Sequence, residues 1–310
     1  MNDKKIGVVG VGGVGGYLAT MLASVYPHVT VVARGARGEA IRKNGLILRS
    51  DYRDDIIAHP QQVVLSSTEL TEQDYLFICV KNYSLEQACG ELAGAVGEHT
   101  VIIPVMNGVD PGERVRAAFG KGTVVDSLIY IVAFANADYS TTQQGNFADI
   151  RIGIKDADER QKEILKGLSE LLTGAQIRHK VSEDVELDIW KKYILNCAYN
   201  VATSYYDNTV GQLRSDPVKA KEYETLVWEA YRVGCAKGVR LVPSNVEDII
   251  KRFYEKYADG ATSSLQRDIR AGKKAEVETF SGYIVREAGR LGIEVPVSER
   301  MYRELLEKTA

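Results

Sequence analysis

Cysteine is scarce in this 310-residue chain: Cys79, Cys89, Cys197 and Cys235 are scattered, with no spacing suited to a metal or a disulfide framework. Thiols used so sparingly are expected to be reduced, buried side chains, which predicts a cytoplasmic protein. Histidine is as rare. His28, His59, His99 and His179 pair neither with each other nor with the cysteines, so a zinc or iron site has no candidate ligands. Excess positive charge is missing too: 39 Lys and Arg against 42 Asp and Glu leave a net charge of −3, without the surplus that a nucleic-acid partner requires. No run approaches the roughly 18 uninterrupted apolar residues of a membrane span. Lys4-Lys5 before an apolar run superficially resembles a signal peptide, but glycines interrupt that run and no small-residue cleavage site follows. Internal repeats and low-complexity tracts are absent. What is present is a 45% hydrophobic chain, enough for a large core in two domains of about 100–200 residues each.

The stretch around which the chain is organised is Lys5-Ile6-Gly7-Val8-Val9-Gly10-Val11-Gly12-Gly13-Val14-Gly15-Gly16. Gly10, Gly12 and Gly15 give G-x-G-x-x-G, a weak signal alone. Here it follows a β-branched strand, opens the apolar helix Tyr17–Ala23 and precedes a second apolar run, Val29–Ala33, the context that a dinucleotide fold needs. Gly10 is expected to make the tight turn, Gly12 to admit a pyrophosphate, and Gly15 to let helix and strand pack closely. The helix N-terminus then offers N–H groups and partial positive charge to that pyrophosphate, so Gly10, Val11, Gly12, Gly13, Val14 and Gly15 are the cofactor-binding loop.

Arg34 ends the second strand, with Arg37 close behind and no acid before it. An acid there bonds the ribose 2′-hydroxyl of NAD, whereas an arginine accommodates the 2′-phosphate of NADP, so the cofactor expected is NADPH. Residues 46–65 read as a short β excursion rather than another crossover. The parallel pattern resumes at Tyr75–Val80 and Thr100–Val105, near-continuous apolar runs suited to strands buried on both faces. They end in Lys81-Asn82-Tyr83 and Met106-Asn107-Gly108, and polar groups at strand carboxyl ends point to where ligands bind, making Lys81 and Asn107 candidates near the nicotinamide. A surface lysine and a turn-forming Asn-Gly are the plain alternatives. Asn82-Tyr83-Ser84 also fits a glycosylation sequon, immaterial in a chain that is not secreted. Further strands at 124–125, 130–135 and 149–154, a helix over 157–173 and a short strand at 176–178 close the first domain, and beyond 182 the pattern is helical.

Ser182 is a candidate N-cap for a helix running to Tyr206, with Glu183, Asp184 and Glu186 in its first turn. Apolar residues cover most of its circumference, which predicts burial. One stripe stays polar: Asp188, Lys192, Asn196, Asn200 and Thr203. A solvated face is usually rich in Glu, Lys and Arg, whereas two asparagines a turn apart read better as hydrogen-bonding groups facing a pocket, with Lys192 as an ionisable member. At 262–269, Ser263 or Thr262 is placed to cap a helix on which Ser264 and Asp268 share a face, and Gly272 breaks that helix before Glu276.

Together these residues resemble the ketopantoate reductase (2-dehydropantoate 2-reductase) family over nearly the whole chain. The points of resemblance are Gly10-x-Gly12-x-x-Gly15, Arg34, Cys79-Val80-Lys81, Asn107-Gly108, Trp190-Lys191-Lys192 with Asn196-Cys197 and Asn200, and Ser263-Ser264 with Asp268–Gly272 and Glu276. The resemblance implies an α/β fold: an N-terminal Rossmann-type doubly wound sheet, residues 1–181, binding NADP, then an all-helical C-terminal domain, residues 182–310, carrying substrate and catalysis. It implies Lys192 as the general acid, Asn107, Asn196, Asn200 and Ser264 as substrate contacts, Glu276 in the active site near cofactor and substrate, and Lys81 and Asn107 on the cofactor. The family's usual Ser-Ser-Met-x-x-Asp stands here as Ser263-Ser264-Leu265-Gln266-Arg267-Asp268, its Thr-Glu-Ile-Asp as Ala275-Glu276-Val277-Glu278, and its frequent proline after the second asparagine as Val201.

The expected activity is reduction of 2-dehydropantoate to pantoate with NADPH, for pantothenate and coenzyme A synthesis. The expected partner is a small 2-oxo acid, with no nucleic acid or membrane, and a homodimer is an open alternative to a monomer. Rival readings are a reductase of another 2-oxo acid, an opine or 3-hydroxyacid dehydrogenase, and an NADPH-sensing protein. The dehydrogenases usually rely on a histidine in the helical domain, and none follows His179; a sensor has no use for Lys192 and Glu276.

Overall fold

A computed structural model of the chain describes residues 1–309. They form two compact units, Met1–Val185 and a second from Glu186 onward. In the first, the apolar runs become strands: Ile6–Val9 (β1), Val29–Val32 (β2), Leu46–Ser50 (β3), Ile56–Ala58 (β4), Gln62–Val64 (β5), Tyr75–Ile78 (β6), Val101–Pro104 (β7) and Thr123–Val124 (β8). Every residue of β1, β2, β6 and β7 is buried, as strands covered on both faces should be. Six of these strands form a parallel sheet in the order β5-β2-β1-β6-β7-β8. The chain grows outward from β1 first one way and then the other, so the carboxyl ends of β1 and β6 flank the switch point, where ligands bind in such sheets.

A second sheet, of order β11-β10-β3-β4 with β9 paired to β10, contains Asp126–Ala135 (β9), Thr141–Gly153 (β10) and His179–Val181 (β11). β9 and β10 form a long antiparallel hairpin with a register shift between Gln144 and Ala148. Helix Gly13–Ala23 (α1) lies against this sheet as well as against β1. A Cβ on Gly13 would meet the Ala133 carbonyl oxygen at 2.3 Å, and one on Gly16 would meet Thr141 Oγ1 at 2.0 Å. All residues from Gly15 to Leu22 are buried, which is why this helix is apolar all round rather than on one stripe.

Three details differ from the sequence reading. The last part of the 46–65 excursion, β5, is an edge strand of the main sheet, paired in parallel with β2. The connection from β2 to β5 is therefore a crossover, through helix Gly35–Asn44 (α2), with the β3–β4 hairpin inserted in it. The short strand lies at 179–181 rather than 176–178, because Gln176 takes a positive φ of 55° to end the preceding helix. Ser182 stands two residues before the position that adjoins the next helix. Its N–H still donates to Ile152 O in continuation of the β10–β11 ladder, and the helix starts at Val185.

The remaining helices of the first unit are Leu85–Glu91 (α3), Pro111–Phe119 (α4) and Glu159–Gly174 (α5). Val185–Tyr206 (α6) leads into the second unit, followed by Val210–Ser215 (α7), Pro217–Ala236 (α8), Pro243–Glu255 (α9), Ser264–Arg270 (α10), Tyr283–Leu291 (α11) and Pro296–Thr309 (α12). The N-terminal N–H groups of α12 are satisfied by a fully buried acid: Val297 N, Ser298 N and Ser298 Oγ donate to the Glu229 carboxylate over 2.6–3.1 Å. None of the described helices is long and apolar enough to cross a membrane.

Candidate active site

In the first unit, three loops leave the same edge of the parallel sheet. Val9, Ile78 and Pro104 are in register at the ends of β1, β6 and β7, which aligns Gly10 with the segments running to Lys81 and Asn107. Gly10 turns the chain with φ of 88°, and a Cβ there would lie 2.8 Å from the Cys79 carbonyl oxygen. Gly15 packs the helix onto the strand so closely that a Cβ would meet Gly10 O at 2.0 Å. Gly12, the N-cap residue of α1, is exposed, and a Cβ on it would meet nothing within 4 Å. No side chain caps α1, and no acid lies in its first turn. An uncapped helix N-terminus opening onto free space suits an anion such as a pyrophosphate.

Lys81 is exposed and Asn107 half-buried at this edge. Arg34 sits at the N-cap position of α2 in extended conformation, more than half exposed, and its Nη2 lies 2.6 Å from Glu91 Oε2 at the end of α3. Arg37 stacks over the Tyr139 ring at 5.5 Å.

In the second unit, the polar stripe of α6 divides into two parts. The C-terminal part is a seam holding α10. Asn200 is buried, and its Oδ1 accepts from Ser264 Oγ and Leu265 N, both at 3.2 Å. Thr203 Oγ1 donates to Ser263 Oγ over 2.7 Å, and Ser263 in turn caps α10 by accepting from Gln266 N. The structure thus brings Asn200 and Ser264 together and makes Ser263 the cap. The N-terminal part carries the ionisable pair. Burial pushes the Lys192 ammonium down to about 8, while the carboxylate of buried Glu276 pulls it back up. Asn196, one turn beyond Lys192, is half-buried, and its carbonyl accepts from Asn200 Nδ2 over 3.0 Å.

Residues 6–156 match the family model described as ketopantoate reductase PanE/ApbA, and residues 184–309 match its C-terminal counterpart. The chain belongs to the ketopantoate reductase family. It is 29% identical to the uncharacterized oxidoreductase YkpB of Bacillus subtilis over 97% of each chain. It is 28% identical to a 2-dehydropantoate 2-reductase of Mesorhizobium japonicum, covering 93% of this chain and 92% of the relative. The crystal structure of 2-dehydropantoate 2-reductase from Porphyromonas gingivalis superposes with a TM-score of 0.82 at 30% identity, over 98% of this chain and 99% of that one. The protein is thus an oxidoreductase of a nicotinamide-dependent family with a Rossmann-like fold.

Against this family background, two residues that sequence reasoning passed over stand out. Asn82, given no role at the strand end Lys81-Asn82-Tyr83, is buried and donates from Nδ2 to Asn107 O over 2.7 Å, while Arg114 of α4 donates to its Oδ1 and O at 3.0 Å each. It locks the loop after β6 to the loop after β7. Tyr193, next to Lys192, donates from its hydroxyl to Thr279 O over 2.6 Å. Thr279 belongs to the π-helical turn Glu278–Gly282 that follows Glu276; such turns accumulate at functional sites. The adjacency of Asn82 to Lys81 and of Tyr193 to Lys192 was the available signal, but the partners of both are remote in sequence.

Proposed function

We propose that this chain reduces 2-dehydropantoate to pantoate with NADPH, using Lys192 as the proton donor, and serves pantothenate and coenzyme A synthesis in the cytoplasm. The observation that carries the reading is half-buried Lys192 on the α6 stripe with Asn196 and Asn200, its ammonium pushed down to about 8 by desolvation and pulled back up by buried Glu276. Bound NADPH supplies the hydride that adds to the keto carbon. As the carbonyl oxygen becomes an alkoxide, it needs a donor within about 3 Å that can release its proton. Lys192 is charged at neutral pH and burial favours its neutral form afterwards, so the same desolvation helps it both to hold the oxyanion and to give up the proton. Glu276 keeps the amine from losing its proton too early. Asn107, Asn196, Asn200 and Ser264 hold the acid, with Asn200 and Ser264 already aligned by their mutual hydrogen bond.

In the first unit, the loop Gly10-Val11-Gly12-Gly13-Val14-Gly15 takes the pyrophosphate on the uncapped N-terminus of α1, Arg34 takes the 2′-phosphate, and Lys81 and Asn107 contact the cofactor; Glu276 of the second unit is a further proposed cofactor contact. The test is NADPH oxidation with ketopantoate by wild type and Lys192→Ala. Removing a general acid is expected to cost about 10²–10⁴ in kcat with NADPH affinity retained. Unchanged turnover in the variant would remove Lys192 from this role. Leu265 and Arg267, which stand in the segment bearing Ser264, favour a second reading, reduction of a related 2-oxo acid. A panel of branched 2-oxo acids ranked by kcat/KM decides between them.

A further inference from the structure

The strand that ends in Arg34 has no acid before it, yet the fold supplies one from elsewhere. Glu91, the last residue of α3, places Oε2 2.6 Å from Arg34 Nη2. Its other oxygen accepts from Gln87 Nε2 over 2.9 Å. The hydrogen bond from Gln87, together with the Arg34 guanidinium, holds the carboxyl below the usual range for glutamate, so it is an anion at any working pH. The two partners are unequal: the Arg34 side chain is 58% exposed and that of Glu91 23%. The arginine is the more open member, and the acid is the one with a second hydrogen-bonded partner.

We propose that Glu91 is a specificity-determining residue for the cofactor, competing with the 2′-phosphate of NADPH for Arg34 and so reducing the preference for NADPH over NADH. The inference rests on Arg34 as the 2′-phosphate site, as proposed above. A phosphate monoester carries about −1.5 to −2 charge and matches the guanidinium fork, so it displaces the carboxylate from an exposed, weak pair. Glu91, still held by Gln87, then remains a like charge near the phosphate, well within a Debye length. NADH has no 2′-phosphate and leaves the pair intact. The conflict therefore falls on one cofactor alone.

The adenosine end is tested without any chemistry by calorimetric titration of 2′,5′-ADP and 5′-AMP into wild type, Glu91→Gln and Arg34→Ala. Glu91→Gln is expected to tighten 2′,5′-ADP by about 3–10-fold and to leave 5′-AMP within about 2-fold, with the gain shrinking as salt rises. No gain, equal gains for both nucleotides, or a loss for 2′,5′-ADP would overturn the proposal. Arg34→Ala separates the two layers. If it weakens 2′,5′-ADP about tenfold or more while Glu91→Gln changes nothing, only the role of Glu91 falls. If it leaves 2′,5′-ADP unchanged, the 2′-phosphate site is wrong and the competition falls with it.

Discussion

At the scale of the residue, Lys192 is governed by two opposed influences, desolvation lowering its proton affinity and Glu276 raising it. With Lys192 as the proposed proton donor, the protonated form is the active one, so kcat/KM for ketoacid reduction should be flat near neutrality and fall as pH rises through about 8. Glu276→Gln removes the influence that raises the value. The falling limb should therefore move to lower pH, leaving less active enzyme at pH 7.5. A pH profile of kcat/KM for both forms measures this, and a limb that stays in place would mean that Glu276 does not act on Lys192 through its charge.

At the scale of the element, the glycine turn separates positions that serve the fold from the one that faces open space. Gly12→Ala adds a methyl with no protein atom within 4 Å and at a negative φ, so it should fold with little change in Tm yet bind NADPH about tenfold or more weaker. Gly13→Ala drives a methyl to 2.3 Å from the Ala133 carbonyl and should cost about 1–3 kcal/mol of stability. Thermal unfolding and cofactor titration of both variants check the contrast; a destabilised Gly12→Ala would mean that the open space is needed by the fold itself.

The same turn shows what was legible in the sequence. Strands buried on both faces announce themselves as apolar runs, so β1, β2, β6 and β7 and the glycine register were readable. The membership of β5 was not, because three residues on a sheet edge carry no signal of which strand they join. The α6 stripe was readable as polar on an apolar helix, but its division into an α10 seam and an ionisable pair depends on partners some sixty or more residues away, as in the Ser264–Asn200 bond with a separation of 64. Asn82 and Glu91 escaped for that reason: their chemistry is set by Asn107 and Arg34, at separations of 25 and 57.

At the scale of the whole molecule, the four cysteines are free and serve mostly as packing. Burial pushes the Cys79 thiol up to about 12, the Cys89 thiol up to about 11, and that of Cys197 upward as well. The thiolate is the reactive form, so these three should resist alkylation and disulfide exchange in the native state. A thiol titration at pH 8 should give at most one fast equivalent, from half-buried Cys235, and all four only after unfolding. Two or more fast equivalents would show that the core of at least one unit opens readily.

The position of α1 between two sheets bears on the order in which the chain assembles. This helix comes well before β9 and β10 in the chain, yet one of its faces is closed by them, with Ala133 and Thr141 pressing on Gly13 and Gly16. Until that hairpin arrives, the glycine helix has an uncovered apolar side and nothing to hold its register against the sheet. Closing such long-range contacts is slow compared with forming a local helix. The glycine turn, far ahead of that hairpin in the sequence, is therefore sealed late in folding.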